Sequence, residues 1–254
     1  MSVHEAAYHA DGSLVGKLRR RIARLRHRRP VLRAPDRPML SISFDDAPLT
    51  AAGIGAEILE QGGARGTFYA AAGLAGHFEP VGQCADRDDY LSLARRGHEI
   101  GCHTFSHLDC GRASAQSAKA DVALNAQAFR DWGLPPADSF AFPFGDVSSE
   151  TKAGLAPDFA ILRGLHEGVI QEGSDLNQAP AVGILGPGGE AKARRWMQYA
   201  LSKRSWLILY THDVQTSPSP WGCTPDALAR LLRSAADLNF ELVTVREGAA
   251  RLTL

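Results

Sequence analysis

The sequence predicts an α/β fold in which parallel strands close, or nearly close, into a single barrel. From residue 39 onward, short apolar runs typical of strands alternate with helical patterns that end at Gly or Asn. Strand and helix repeated in this order indicate a parallel sheet, and seven or eight such units fit a (β/α) barrel. The chain has 254 residues, of which 44% are hydrophobic, so it can bury one sizeable core.

Eight segments have the pattern of a strand, and helical patterns lie between several of them. The predicted strands are 39–45, 66–71, 98–103, 139–143, 158–163, 181–185, 206–212 and 240–245. The helical patterns cover 51–63, 90–97, 115–133 and 224–239. No repeated unit interrupts this order, so residues 39–254 are predicted to form one domain.

Residues 1–38 are predicted to be a basic arm and linker in front of this domain. They contain ten Lys or Arg against three Asp or Glu, whereas the remainder of the chain is acidic. Residues 14–29 have the spacing of an amphipathic helix, which Pro30 ends, and 33–38 are a linker. The apolar stripe of this helix consists of Leu14, Leu18, Ile22 and Leu25.

This helix has several candidate partners. An apolar stripe normally packs on the protein's own body or on a second copy. A basic amphipathic helix can also lie on an anionic membrane or contact nucleic acid. We expect peripheral contact with an anionic inner membrane or a homodimer, and we expect no nucleic acid.

The cysteines and the apolar runs indicate a cytoplasmic protein. Cys84, Cys102, Cys110 and Cys223 show no CxxC spacing and are too few for a secreted disulfide scaffold. The first thirty residues contain no apolar core typical of a signal peptide, and no segment is long enough to span a bilayer. We therefore expect reduced thiols and a location in the cytoplasm, peripheral to the inner membrane.

Ionisable side chains gather at the predicted strand ends, where functional groups of a barrel lie. The first predicted strand stops at Asp45 and Asp46, the third leads into His103 and His107, and the seventh delivers His212. The ordinary alternative for the acidic pair is that Asp46 caps the following helix while Asp45 is solvated. The two histidines, four residues apart, can converge on one ion if a helical turn follows their strand directly.

These residue types fit the chemistry of a catalytic metal site. Two histidines and one carboxylate form a recognised zinc set that leaves room for water and substrate. Asp45 can then take a proton from water as a general base, and His212 can give one to a leaving group as a general acid. Each feature also arises by chance. A catalytic metal site is favoured because several strand ends each supply a suitable residue.

At this point the sequence resembles the polysaccharide deacetylase family, also described as the NodB homology domain or carbohydrate esterase family 4. The motifs that carry the resemblance are SFDD at 43–46, GHEIGCHTFSH at 97–107, FAFPFG at 140–145, LILYTH at 207–212 and the closing segment 224–248. They extend over nearly the whole chain apart from the arm. The resemblance implies a distorted (β/α) barrel of seven or eight units.

The resemblance also implies a reaction and roles for individual residues. Asp46, His103 and His107 would be the metal ligands, Asp45 the general base and His212 the general acid, with a backbone N–H near Phe144 helping to bind the oxyanion. The metal would be zinc, with Co²⁺, Ni²⁺ or Mn²⁺ as alternatives. The enzyme would be a hydrolase of linear amide C–N bonds that removes N-acetyl groups from N-acetylhexosamine residues of a glycan.

The sequence departs from the family pattern at two places. Many members have an Arg two residues before Pro143, where it orients the catalytic Asp, but this chain has Ala141. Arg163 is a candidate to replace that cation, and a surface ion pair is the alternative for it. No Asp that orients the acid His is evident, although Asp158 and Asp213 are candidates.

Two aromatic residues are candidates for substrate binding. Tyr210 shares a strand face with His212, so it either lines the acetyl pocket or belongs to the core. Trp221 lies in the loop after the acid and is either a platform for a sugar ring or an exposed structural residue.

The sequence therefore predicts a metal-dependent N-deacetylase of bacterial exopolysaccharide synthesis. Its expected substrate is N-acetylglucosamine in the polymer or in its lipid-linked precursor, as in the polysaccharide of holdfasts and biofilms. One alternative is a non-catalytic protein that binds glycan or nucleic acid on a degenerate barrel, and another is an O-acetyl esterase of a glycan.

Overall fold

The computed structural model describes residues 13–253, so residues 1–12 of the predicted arm lie outside the described residues. The helices are α1 Leu14–Leu25, α2 Ala56–Gln61, α3 Arg87–Arg95, α4 Ala115–Trp132, α5 Ser149–Leu155, α6 Gly189–Lys203, α7 Pro225–Asp237 and α8 Val245–Thr253. The strands are β1 Met39–Asp45, β2 Thr67–Ala70, β3 Phe78–Glu79, β4 Gly82–Gln83, β5 Glu99–Cys102, β6 Ser139–Ala141, β7 Ile161–Arg163, β8 Val182–Gly183, β9 Trp206–Thr211 and β10 Glu241–Leu242. A π-helical turn, Ala51–Gly55, runs directly into α2.

The predicted α/β fold with a parallel sheet is confirmed, and all eight predicted strands are present. The sheet has the order β7-β6-β5-β2-β1-β9-β8, with β10 also paired to β1. Its strands are parallel, whereas β3 and β4 form a separate antiparallel hairpin that the sequence did not predict. The sheet curls, and a single bridge between Arg163 of β7 and Ala179, ahead of β8, connects its two ends.

β1 lies at the centre of the sheet and is buried on both faces. It pairs with β9 over Met39–Phe44 on one side and with β2 and β10 on the other. Its alternating sequence is typical of a half-buried strand, yet all seven residues are buried. The polar face points into the barrel, where Ser41 Oγ accepts a hydrogen bond from the indole N–H of Trp206 at 2.9 Å. Parallel sheets are covered on both faces in this way, so serines in β1 need partners inside the protein.

The basic helix is shorter than predicted and turns its apolar stripe outward. α1 ends at Leu25 instead of Arg29, because Arg26 is extended and His27 has a left-handed backbone with φ 51°. The carbonyl of His27 accepts a hydrogen bond from Asn177 at 2.8 Å, so a distant segment fixes this end. Of the alternatives for the leucines, packing on the protein's own body is wrong, since Leu14, Leu18 and Leu25 are exposed; packing on a second copy or on a membrane stays a prediction.

Several helices were not specified by the sequence patterns. α5, α6 and α8 lie between or after predicted strands, and their bounds come only from the structure. Among the described residues, no helix is long and apolar enough to cross a bilayer. The division of the chain at residue 38 into an arm and a catalytic domain stays a prediction.

Candidate active site

The ionisable residues predicted from the strand ends lie together at the carboxyl ends of β1, β5 and β9. Asp46 Oδ1 lies 3.6 Å from Nε2 of His103 and 3.3 Å from Nε2 of His107. Asp46 Oδ2 lies 3.9 Å from Nε2 of His212. The parallel arrangement produces this convergence, because carboxyl ends of neighbouring strands meet at one edge of the sheet.

Asp46 follows β1 in a backbone conformation that is unusual for a residue with a side chain. Its φ is 58°, and that of the next residue, Ala47, is 41°. The carbonyl of Ala47 accepts a hydrogen bond from the N–H of Ala85 at 3.0 Å, which holds the turn. The helical turn after this segment has no side-chain cap, so the alternative role of Asp46 as a helix cap is wrong. Left-handed residues of this kind concentrate at functional sites.

The two histidines converge although the loop that carries them is not the helical turn on which this convergence was expected to depend. Thr104 and His107 have positive φ values of 61° and 55°, and they reverse the chain directly after β5. Asp121 of α4 accepts hydrogen bonds from the N–H groups of Phe105 and Ser106 at 2.7 and 3.0 Å. The loop is therefore shaped by a carboxylate from a helix about fifteen residues later.

The tautomer of His103 is fixed by a backbone acceptor. Its Nδ1 lies 2.8 Å from the carbonyl oxygen of Ala141, which can only accept, so Nδ1 carries the proton. Burial, with a further contribution from His107, lowers the pKa of His103 to about 4. The ring is therefore neutral near pH 7, and its Nε2 presents a lone pair to Asp46.

Asp46, His103 and His107 have the donor chemistry of a divalent metal site. Their ligand atoms all lie within 4.8 Å of one another. Asp46 Oδ1 is buried and accepts no hydrogen bond from the part of the chain that the structure describes. A carboxylate oxygen and a neutral imidazole nitrogen that face each other repel as two acceptors, and a cation between them removes this repulsion. The residues therefore fit a metal such as Zn²⁺, which takes His and carboxylate ligands.

Asp45 lies behind this cluster and is paired with a buried arginine. Nη2 of Arg163 donates to Oδ1 of Asp45 at 2.5 Å, and both side chains are buried. The alternative that Arg163 forms a surface pair is therefore wrong. The guanidinium also lies 5.1 and 5.2 Å from the ring centres of Tyr69 and Tyr210, at distances typical of cation–π contacts.

Arg163 comes from β7, the strand next to the one that carries the family motif, so a guanidinium is present although the motif lacks its Arg. Arg163 of β7 is the register partner of Ala141 of β6, the position where the family often has its Arg. Register partners of neighbouring parallel strands point to the same face of the sheet. The guanidinium thus reaches Asp45 from the adjacent strand instead of from the motif itself.

The charges around Asp45 keep it ionised. Burial raises the pKa of Asp45, but the field of Arg163, together with the fields of His103 and His212 when these rings are protonated, outweighs it, so the pKa lies below its ordinary value. Arg163 has a raised pKa, because the field of Asp45 outweighs the effect of burial. The pair is therefore a carboxylate and a guanidinium at neutral pH.

His212 is oriented by a backbone carbonyl. Its Nδ1 lies 3.2 Å from the carbonyl oxygen of Trp221, which also accepts the N–H of His212 at 3.1 Å. Nε2 then points toward Asp46. The side chain of Asp213 is buried and accepts hydrogen bonds from the N–H and hydroxyl of Ser219, so it braces the loop that carries this carbonyl. A side chain at Gly222 would collide with the Asp213 carboxylate, so the loop requires glycine there.

Neither acidic candidate for orienting His212 is placed to do so directly. The Asp213 carboxylate accepts hydrogen bonds from Gln215 and Ser219 of its own loop, and Asp158 is exposed in the turn before β7. Since all strands of the sheet are parallel, Asp158 and His212 lie at opposite ends of the barrel. Asp213 acts on His212 only through the loop that presents Trp221.

The aromatic candidates differ in their positions. Phe144 has φ 58°, is 38% exposed, and packs its ring edge to face on His107 with centres 4.5 Å apart. Trp221 is 36% exposed at the rim. Tyr210 is 7% exposed, and its ring belongs to the barrel core beneath Arg163. Burial raises the pKa of Tyr210 to about 12, so its hydroxyl stays protonated.

Sequence reasoning missed three contributors to the site. Asp121 shapes the histidine loop, Tyr69 packs on Arg163, and the carbonyl of Trp221 orients His212. Asp121 lies inside a polar helix and a carbonyl belongs to every residue, so no local signal marks either one. The aromatic Tyr69 near the carboxyl end of β2 could have been noticed, because strand ends were already the predicted location of the site.

Comparisons with known proteins identify a matching family model and solved structures with the same fold. A family model described as Polysaccharide deacetylase matches residues 33–157, which contain Asp45, Asp46, His103 and His107. No curated protein sequence matches the chain.

Solved structures show the same fold at low sequence identity. A Mycobacterium smegmatis protein described as a polysaccharide deacetylase candidate has a TM-score of 0.65 at 15% identity, with 89% of this chain and 95% of that chain covered. The chitin deacetylase of Colletotrichum lindemuthianum has a TM-score of 0.57 at 18% identity, covering 86% and 90% of the two chains. A family 4 acetyl xylan esterase from Clostridium thermocellum, in complex with a cobalt ion, has a TM-score of 0.55 at 19% identity, covering 82% and 89%.

Proposed function

The chain belongs to the polysaccharide deacetylase family, and from this premise we propose that it removes N-acetyl groups from N-acetylhexosamine residues, N-acetylglucosamine in particular, of a bacterial exopolysaccharide or its lipid-linked precursor. As a member of this family it is a carbohydrate-deacetylating hydrolase. The observation that carries the proposal is the arrangement around Asp46. The imidazoles of His103 and His107 and the carboxylate of Asp46 converge there, with an ionised Asp45 behind them and Nε2 of His212 3.9 Å from Asp46 Oδ2.

We assign the metal to Asp46, His103 and His107. Zinc is the expected ion, with cobalt, nickel or manganese as alternatives. When bound, such a cation polarises the acetyl carbonyl and lowers the pKa of water. The carbonyl of Ala141 contributes by accepting a hydrogen bond from Nδ1–H of His103, which leaves the lone pair of Nε2 free to bind the metal.

Asp45 is the proposed general base. Its carboxylate is ionised, buried and held by Arg163, so it can take the proton of an attacking water without rearranging. The ion pair also fixes the position of the Asp45 carboxylate. Because Arg163 also contacts the rings of Tyr69 and Tyr210, the carboxylate is positioned by a rigid, packed group.

His212 is the proposed general acid. Its Nδ1 proton is bound to the carbonyl of Trp221, so Nε2 is the nitrogen that can donate to the leaving amine. An amine is too basic to leave as an anion, and a proton from Nε2 lets it depart as a neutral group. A backbone N–H near Phe144 is the proposed second donor to the developing oxyanion.

The aromatic residues at the rim are proposed to hold the sugar. Trp221 and Phe144 are partly exposed beside His212 and His107, where a flat ring can stack on a pyranose. Tyr210 is mostly covered, so its proposed part is to form the floor of the acetyl pocket. The hydroxyl of a protonated Tyr210 can donate a hydrogen bond there.

A second candidate reaction is hydrolysis of an O-acetyl ester on a glycan. It is favoured by the acetyl xylan esterase among the structures with the same fold. The same acid and base serve both reactions, since only the leaving atom changes from nitrogen to oxygen. A non-catalytic glycan- or nucleic-acid-binding protein is a weaker alternative, because its main support was the missing motif Arg and Arg163 occupies the corresponding place.

The polymer and the compartment are also proposed. Holdfast N-acetylglucosamine is one polymer of the proposed class, and it stays a prediction from the sequence resemblance. A cytoplasmic location is supported by the four cysteines, all of which are buried and free. The enzyme would there meet a glycan on a lipid carrier.

The proposal is tested by measuring acetate release and metal content in the same preparations. We expect release from N-acetylglucosamine oligomers to exceed release from acetylated xylan. Asp45→Ala and His212→Ala should lose at least about 100-fold in kcat while keeping the metal. His103→Ala should lose the metal, as measured by plasma emission spectroscopy.

The control is Asp131→Ala, which removes an exposed carboxylate on α4 and should leave both quantities unchanged. A full-rate Asp45→Ala enzyme would exclude the proposed mechanism. Faster release from acetylated xylan would instead assign the chain to the O-acetyl esterases.

A further inference from the structure

The outer face of α1 is an apolar stripe that is largely exposed to solvent. Leu14 is 84% exposed, Leu18 58% and Leu25 68%, and Ile22 is at the edge of the stripe with 37%. Large apolar side chains are rarely left together on a surface without a partner.

The stripe faces outward although α1 is firmly attached to the body. Gly16 and Ala23 form the buried side of the helix. Nζ of the buried Lys152 donates to the carbonyl of Ala23 at 2.8 Å and to Oδ2 of Asp175 at 2.6 Å. The guanidinium of Arg29 donates to three backbone carbonyls after α5, which fixes the chain beyond the helix. The small residues are inside and the leucines outside, so the orientation of the stripe follows from packing.

Cations line one edge of the stripe. With about 3.6 residues per turn, Lys17, Arg21 and Arg24 fall on one side of the leucines, away from the buried face. All three are exposed, and α1 contains no acidic residue. The surface therefore combines apolar side chains with positive charge only.

The combination of apolar side chains with positive charge favours one class of binding partner for α1 over the others. A second copy docked through the same stripe would bring the cations of two helices together, which is unfavourable. A nucleic acid would use the cations but leave the leucines exposed to water. A lipid surface with anionic headgroups uses both, because the apolar side chains enter the boundary of the acyl chains while the cations stay among the phosphates.

We propose that α1 docks this protein on an anionic lipid bilayer, with Leu14, Leu18 and Leu25 inserted and Lys17, Arg21 and Arg24 at the headgroups. Docking would bring the active-site rim near the membrane, since Arg19 and Arg20 of α1 approach Asp146 at 3.8 and 4.0 Å. Asp146 lies two residues after Phe144, which packs on His107. The docking itself does not depend on the reaction at the site.

The test is co-sedimentation of the full chain with vesicles. We expect binding to vesicles of equal parts phosphatidylcholine and phosphatidylglycerol, weaker binding as salt is raised, and little binding to phosphatidylcholine alone. Replacing Lys17, Arg21 and Arg24 together by Gln should weaken partitioning by about 100-fold. Replacing Leu14, Leu18 and Leu25 together by Ser should abolish binding.

Matched variants control for general surface effects. Leu124→Ser removes an exposed leucine on α4, and Gln at Arg87, Arg95 and Lys119 removes three exposed cations elsewhere. Both should bind as the wild type does, and circular dichroism should show every variant folded.

Three results would overturn the proposal. The first is wild-type protein that stays in the supernatant with anionic vesicles. The second is a leucine variant that binds as well as its control. The third is a wild-type dimer in light scattering that the leucine variant dissociates, without vesicle binding by either form, because the stripe would then be a subunit interface. Acetate release is not part of the readout, so failure here is distinguishable from failure of the proposed reaction.

Discussion

Arg163 shows how the proposed catalytic base, Asp45, can be paired with a cation although one motif residue is absent. Its side chain is fully buried, and its charge is compensated by Asp45 and by the faces of two tyrosines. Removing one member of a buried ion pair leaves the other charge uncompensated, which typically costs about 3–5 kcal/mol. The pair is therefore important both for the position of the carboxylate and for folding.

Arg163→Ala should lower kcat by about 100-fold while KM and metal content change little, because the base is disturbed and the metal ligands are untouched. The variant Arg163→Ala/Ala141→Arg, which moves the guanidinium to the paired position on β6, should recover part of kcat. Steady-state kinetics and plasma emission measure these quantities. Calorimetry should show both variants folded.

A merely structural role for Arg163 predicts a different pattern. In that case Arg163→Ala would lower thermal stability but keep kcat in the folded fraction, so the double variant would have no loss of kcat to recover. Arg163→Lys, which keeps the charge but not the planar stacking group, should fall between wild type and Arg163→Ala in kcat.

Among the elements, the loop between β5 and α4 most directly shapes the proposed metal site, because it carries His103 and His107. Its left-handed residues, Thr104 and His107, are unfavourable in isolation and persist because partners hold them. Asp121 supplies two backbone hydrogen bonds, and Gly73 approaches the loop closely, with its N–H 2.9 Å from the carbonyl of Phe105. A Cβ at Gly73 would lie 2.7 Å from that carbonyl oxygen, so the approach requires glycine.

Asp121→Ala should weaken metal affinity by roughly 10–100-fold, because residues that orient ligands typically contribute this much. Competition with a chromophoric chelator measures the affinity. Asp131→Ala, on the same helix but exposed to solvent, should bind metal as the wild type does. Equal affinities for the two variants would show that the loop keeps its shape without Asp121.

At the scale of the whole molecule, the site joins segments that are far apart in sequence. Asp46, His103 and His107 come from two different strand ends, so a metal that binds them ties together the centre of the folded barrel. Binding to the folded state alone raises the free energy of unfolding, by about 2.7 kcal/mol when the free metal is 100 times its Kd.

Removing metal with a chelator should therefore lower the Tm by roughly 5–10 °C, and returning zinc should restore it. Differential scanning calorimetry measures the shift. In His103→Ala the Tm should not respond to zinc, because a ligand is missing. A wild-type Tm that is insensitive to both chelator and zinc would argue against a metal at these residues.

The sequence by itself determined the order along the chain of the eight strands of the main sheet and the residues at their ends. Alternating apolar runs and the residues that stop them are local patterns, so Asp45, Asp46, His103, His107 and His212 could be identified without coordinates. Tertiary structure decided what those residues touch. The pairing of Arg163 with Asp45, the carbonyl of Trp221 on His212 and the outward leucines of α1 depend on register, on closure of the sheet and on which face of a helix is covered. These are contacts between distant segments, and no local pattern encodes them.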